Sequence, residues 1–215
     1  MIDIATQIDA IRRGVATRPA ESGELVAVLL RRSYDAPIDD VWDAITDPAR
    51  IARWFMPVSG DLREGGDFQL EGNAGGRILR CDRPRLLQAT FGGDTSIVTL
   101  RLTDDGDDRT TLELEHTVPI EMAGSGAGAL YVGPGWDGGF LALGLFLDGV
   151  VTDDPRAAAG SPEAFAFSRA SIAAWTATVE ASGTASAEDI AAAVEMSLAQ
   201  FAPAEDGSVD GERPG

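Results

Sequence analysis

The stretch RRSYDAPIDDVWDAITDPARIARWF, residues 31–55, decides how the rest of the chain is read. It passes from a strand-like segment through a turn into two short amphipathic segments. Pro37 stands at a helix start, where a missing N–H costs nothing, and Asp35 just before it is the expected cap. Val41, Trp42 and Ile45 recur at helical spacing; Asp47-Pro48 then closes that helix and opens another carrying Ile51, Trp54 and Phe55. The order strand, helix, helix sets the frame for everything around it.

Upstream, residues 25–34 (LVAVLLRRSY) supply the strand, and Ile4, Ile8 and Ile11 predict an amphipathic helix over residues 3–14, followed by a loop through Pro19 and Gly23. Downstream, Gly65-Gly66, Asn73 to Gly76, Arg83 to Arg85, Gly92-Gly93 and Asp104 to Asp108 punctuate the chain as an antiparallel meander does. Within it, Phe68 and Leu70 oppose Gln69 and Glu71. Val98, Leu100 and Leu102 oppose Thr99, Arg101 and Thr103, while Leu112, Leu114 and His116 oppose Thr111, Glu113 and Glu115. Each strand has one apolar face that needs a cover. The segment Trp136 to Leu147 is that cover: Trp136, Phe140, Leu143 and Leu147 share a helical face, and Gly138, Gly139 and Gly144 should let a neighbouring backbone approach.

Residues 31–55, together with 60–91 (GDLREGGDFQLEGNAGGRILRCDRPRLLQATF), 107–119 (DDRTTLELEHTVP) and 133–147 (GPGWDGGFLALGLFL), resemble the START-like, polyketide-cyclase-like superfamily (SRPBCC, the birch-pollen-allergen fold). Within it they resemble the branch named after activators of the heat-shock protein 90 ATPase, and the flanking stretches resemble its bacterial, actinobacterial-type members. The resemblance implies an α+β helix-grip fold: a curved antiparallel sheet wrapped around a long C-terminal helix, two short helices after the first strand, and extra N- and C-terminal helices. It also implies a hydrophobic cavity between sheet and helix, which periodicity alone does not distinguish from a filled core. The expected division is an N-terminal helix and linker (1–24), the START-like domain (25–150), a helical extension (151–203) and a disordered tail (204–215).

The extension carries its own signals. Ser161-Pro162-Glu163 opens a helix with Phe165, Ile172, Trp175 and Val179 on one stripe and Gly183 as its stop. Ser186 with Glu188 and Asp189 opens another with Ile190, Val194, Leu198 and Phe201. These helices must bury a face against the protein's own body or against a second subunit, so a homodimer is one outcome.

The net charge of −18, with every one of the 17 basic residues an arginine, argues against nucleic acid or an anionic membrane as partner. The N-terminus lacks the apolar core of a signal peptide, and FLALGLFL (140–147) is too short to span a bilayer, so a cytoplasmic location is expected. One cysteine, Cys81, excludes an internal disulfide, and one histidine with one cysteine cannot build the usual zinc shell; neither metal nor cofactor is expected. GSGAGA (124–129) lacks the βαβ setting of a dinucleotide loop and reads as a flexible loop over the cavity mouth. DDGDD (104–108) lacks calcium-loop spacing and reads as an acidic hairpin turn.

His116 shares a face with Leu112 and Leu114, which makes it the candidate acid or base, with a satisfied structural histidine as the alternative. The expected cavity wall is Trp54, Phe68, Leu70, Val98, Leu100, Leu112, Leu114, His116, Trp136 and Phe140. The leading function is binding of a small apolar or amphipathic molecule. A polyketide cyclase- or aromatase-like enzyme and a stress-related, co-chaperone-like module are the alternatives; no nucleophile can be paired with His116 from sequence.

Overall fold

The computed structural model describes residues 2–21, 23–150 and 152–203, so the expectation for the tail, residues 204–215, lies outside the described residues. In chain order the elements are α1 (Ile4–Asp9), β1 (Arg12–Pro19), β2 (Glu24–Tyr34), α2 (Ile38–Thr46) and α3 (Pro48–Ile51). The meander follows as β3 (Val58–Gly60), β4 (Asp67–Leu70), β5 (Gly75–Asp82), β6 (Leu86–Thr90), β7 (Ile97–Gly106) and β8 (Arg109–Pro119). After it come α4 (Ile120–Ala123), a 3-10 helix (Gly126–Tyr131), α5 (Gly133–Leu147), α6 (Pro155–Ala159), α7 (Pro162–Ser182) and α8 (Ala187–Phe201). The strands form one antiparallel sheet in the order β1-β2-β8-β7-β6-β5-β4-β3. The first long strand and the last therefore meet in mid-sheet, and α5 and α7 cover the concave face.

Register explains the apolar face. Val98 lies opposite His116, Leu100 opposite Leu114 and Leu102 opposite Leu112; across β8, Val28 and Leu30 face His116 and Leu114 in turn. Side chains directly opposite point to the same side of the sheet, so this grid turns one continuous apolar surface towards the helices. At the β7–β8 hairpin, Asp107 and Asp108 both adopt positive φ, 51° and 55°, between the paired Gly106 and Arg109. That is the two-residue turn whose twist matches the strands, and the acidic stretch serves as this turn.

Several local expectations are corrected. The N-terminal helix ends at Asp9, and residues 12–19 form β1 on the edge of β2 instead of a loop. Gly14, Val15 and Thr17 are poor helix residues, and the free ladder of β2 offers backbone partners that an isolated helix end lacks. Asp35 does not cap α2: Pro37 occupies the N-cap with no side-chain bond, and Asp39 and Asp40 place negative charge in the first turn. Asp47 does cap α3, accepting from the N–H groups of Ala49 and Arg50.

GSGAGA is not a loop at the cavity mouth. Gly126 to Leu130 are buried in the 3-10 helix, packed under α7 and α8; a Cβ at Gly126 would sit 1.8 Å from the Thr184 hydroxyl. Small residues here permit close approach of neighbouring chain. In α7 the buried stripe is Phe167, Ile172, Trp175 and Val179, with Phe165 only partly covered. In α8 it is Ile190, Ala193 and Ser197, with Leu198 exposed. Ser197 turns inward because its hydroxyl donates to the Leu130 carbonyl. Ser161 caps α7, a capping box of Ser186 and Asp189 starts α8, and Gly183 closes α7 in the left-handed region, φ 66°.

The C-terminal helices share one core with the sheet: Phe167, Ile172, Trp175, Val179 and Ile190 belong to the same buried cluster as Val28, Leu30, Leu112 and Leu114. A fully buried carboxylate joins the parts. Asp137 on α5 accepts hydrogen bonds from Arg13 of β1 and from Ser171 and Trp175 of α7. Burial pushes its pKa up to about 6, with Arg13, Ser171 and Trp175 pulling the other way. Next to it Gly133 lies under the Trp175 ring, where a Cβ would come within 2.5 Å of a ring carbon.

Candidate functional site: an apolar cavity between sheet and helix

Between the concave face and α5 lies a cavity of about 210 Å3. Its floor is the paired grid of β7 and β8, contributing Val98, Leu100, Leu112 and Leu114, continued by Leu87 and Ala89 of β6 and Phe68 and Leu70 of β4. Its roof is one stripe of α5: Trp136, Gly139, Phe140 and Leu143. Trp54 and Phe55 close the end beyond α3, their rings stacked 5.4 Å apart, and the Trp54 indole N–H donates to the Ala44 carbonyl of α2. That bond satisfies the indole's one polar group, so what Trp54 offers the cavity is apolar ring.

A bulge in β5 shapes one wall. The register shifts between Ile78 and Arg80, leaving Leu79 unpaired and 40% exposed, and so Ile78 and Cys81, three apart, both reach the cavity. Burial, with Glu64 and Asp82 nearby, pushes the Cys81 thiol up, which keeps it in the neutral form. The remaining polar side chain on the wall, Thr46, donates its hydroxyl to the Trp42 carbonyl. The wall presents no charge.

His116 stands behind this wall rather than on it. The Trp136 indole N–H donates to Nδ1 at 3.2 Å, and Nε2 is 2.8 Å from the Ser96 hydroxyl. An indole N–H can only donate, so Nδ1 is the acceptor, the proton is on Nε2, and Nε2–H donates to Ser96. The residue is 4% exposed and burial lowers its pKa to about 4. Phe91 packs against both rings, 6.1 Å from His116 and 5.1 Å from Trp136. The imidazole is thus a strut that holds Trp136 over the cavity.

The other nine expected residues, Trp54, Phe68, Leu70, Val98, Leu100, Leu112, Leu114, Trp136 and Phe140, line the cavity together. Among the wall residues that sequence reasoning missed are Phe55, Ile78, Leu87, Ala89 and Phe91. The alternation Leu87, Ala89, Phe91 was available in the sequence as a signal; the bulge that brings in Ile78 has none.

Gly138 and Gly139 do not serve backbone approach. A Cβ at either would meet nothing within 4 Å, so they open space along α5. At Gly144 the close neighbour is the Arg32 guanidinium, 2.8 Å from such a Cβ, again a side chain rather than a backbone. Among the described residues there is no cluster of three or more His, Cys, Asp or Glu that could hold a metal ion, and no helix long and apolar enough to cross a membrane.

Curved sheet, gripped helix and the apolar space between them define a helix-grip protein. The family described as activator of Hsp90 ATPase homolog 1-like protein matches residues 35–138. The crystal structure of CalU16 from Micromonospora echinospora, 41% identical, superposes with a TM-score of 0.65 over 80% of this chain and 99% of its own. Its solution structure gives 0.67 over 80% and 97%. DynU16, from the dynemicin biosynthetic locus, is 26% identical, with a TM-score of 0.49 over 60% of this chain and 48% of its own. No curated protein matches the chain. The chain belongs to the activator of Hsp90 ATPase homolog 1-like family, within the SRPBCC type.

Proposed function

We propose that this protein binds a small apolar or amphipathic molecule between its sheet and α5. The observation that carries this is the composition of the wall: aliphatic and aromatic side chains throughout, with the few polar atoms already bonded or neutral. Such a surface gains by excluding water from a ligand and offers it no charge. Membership of a superfamily of ligand-binding and cyclase-like proteins supports the same reading.

A cyclase-like enzyme would need an acid or base facing the cavity. Both nitrogens of His116 are engaged, and its lowered pKa leaves it neutral at physiological pH. Binding is therefore favoured over turnover.

Two wall residues, Trp54 and Trp136, report occupancy. A thermal-shift and tryptophan-fluorescence screen of fatty acids, polycyclic aromatics and steroids is expected to give hits. Replacing Leu100 with Trp should abolish them while costing about 1–3 kcal/mol in overpacking. Hits that bind the Leu100→Trp protein as well as the wild type would overturn this site.

A further inference from the structure

α5 separates two spaces. The stripe Trp136, Gly139, Phe140 and Leu143 faces the sheet cavity. The opposite stripe, with Gly138, Ala142 and Phe146, faces a chamber of about 460 Å3 bounded by α6, α7 and the segment after α3. Trp54, Phe55 and Gly139 belong to the walls of both. The partition is thus thin at one place: a helix that lacks side chains at positions 138 and 139, flanked by the Trp54–Phe55 stack. The sheet cavity alone falls short of the roughly 300–1,000 Å3 typical of small-molecule sites, whereas the chamber lies within that range.

The chamber also differs in chemistry. Where the sheet cavity carries no charge, the chamber is lined by Arg53 and Arg156. The carboxylate on its wall, Glu163, is engaged by the backbone N–H of Ile2, and Arg156 donates to the Glu71 carbonyl. Arg53 lies over the Phe146 ring, 5.1 Å from its centre, and forms no ion pair among the described residues. Arg50 also lies over the Phe146 ring, at 5.4 Å, but is paired with Asp40, so Arg53 is the guanidinium on that ring without a carboxylate among the described residues.

Resting on the binding function proposed above, we propose that this chamber is a second compartment of the ligand site. It takes an elongated amphipathic ligand with an anionic end: the apolar body lies in the sheet cavity, crosses α5 at Gly138-Gly139, and the anion meets Arg53. The glycines are what make the crossing passable, since any side chain there would fill it.

The test uses dodecanoate, dodecanol and naphthalene as probes against the full-length protein. The wild type is expected to bind all three and to prefer dodecanoate to dodecanol. Gly138→Leu should melt at or above the wild-type temperature, because leucine is the better helix residue and the space is open. It should weaken dodecanoate by about tenfold or more, each buried methylene being worth a factor of about four, and leave naphthalene unchanged. Arg53→Gln, a substitution of an exposed residue, should erase the preference for dodecanoate over dodecanol. Leu100→Trp should abolish naphthalene binding. Equal dodecanoate affinity in the wild type and Gly138→Leu, or no dodecanoate binding at all by a wild type that binds naphthalene, would overturn the second compartment and leave the sheet cavity standing. Naphthalene failing to bind the wild type would overturn both.

Discussion

His116 is where one residue's environment decides between chemistry and architecture. Its position beside Leu112 and Leu114 was readable from alternation, but its role was not. That depends on Ser96 and Trp136, each twenty residues away in sequence, arriving within hydrogen-bond reach. A histidine whose pKa is lowered from 6.5 to about 4 binds its proton more weakly folded than unfolded. Its contribution is therefore fully present above pH 6.5 and is lost as pH falls towards 4. Asp137, raised from 3.8 to about 6, has the opposite sign: it favours the folded state at low pH and loses that contribution as pH rises through the same window. The two partly cancel in the wild type. Removing His116 exposes its share: the stability difference between wild type and His116→Gln should shrink by about 3 kcal/mol from pH 6.5 to pH 4. Urea melts across that range check it, and a pH-independent difference would show that the imidazole titrates normally.

Among the elements, β7 and β8 were legible because period-two alternation survives intact when neither strand is interrupted on its inward face, and the paired Leu100 and Leu114 confirm the expected side. β5 was not, because one bulged residue, Leu79, breaks the phase between Ile78 and Cys81. β1 was misread as the end of a helix and a loop because Ile4, Ile8 and Ile11 carry a helical spacing across the turn that ends α1. Ile11 is buried at 3% exposure, yet in the bend that leads into the strand rather than on the helix. The glycines of α5 illustrate a further limit. Sequence shows that a side chain is missing, but only packing tells whether neighbouring atoms or empty space take its place. Gly133 is the first kind. Adding a methyl group there should force α5 and the Trp175 ring apart, costing about 1–3 kcal/mol, whereas Gly138→Ala should be neutral or stabilising. Chemical denaturation of the two variants side by side tests this contrast, and equal stabilities would contradict it.

For the whole molecule, α7 and α8 act as part of the body rather than as an appendage. Ending the chain at Gly160 would uncover the sheet-side cluster that Phe167, Ile172, Trp175 and Val179 complete, and would leave Asp137 with Arg13 but without Ser171 and Trp175. The truncated protein should aggregate or lose cooperative melting; a monomer with the wild-type melting temperature would show these helices to be dispensable. The placement of β2 beside β8 also governs how the protein comes off the ribosome. The inward side chains Val26, Val28 and Leu30 have no β8 partner until residues 109–119 are made, and Arg13 lacks its counter-charge until residue 137 emerges. Closing contacts over such sequence separations is slow. The nascent chain therefore carries an uncovered apolar strand while the residues from Asp35 to Asp108 are made, the interval in which intermolecular association competes with folding.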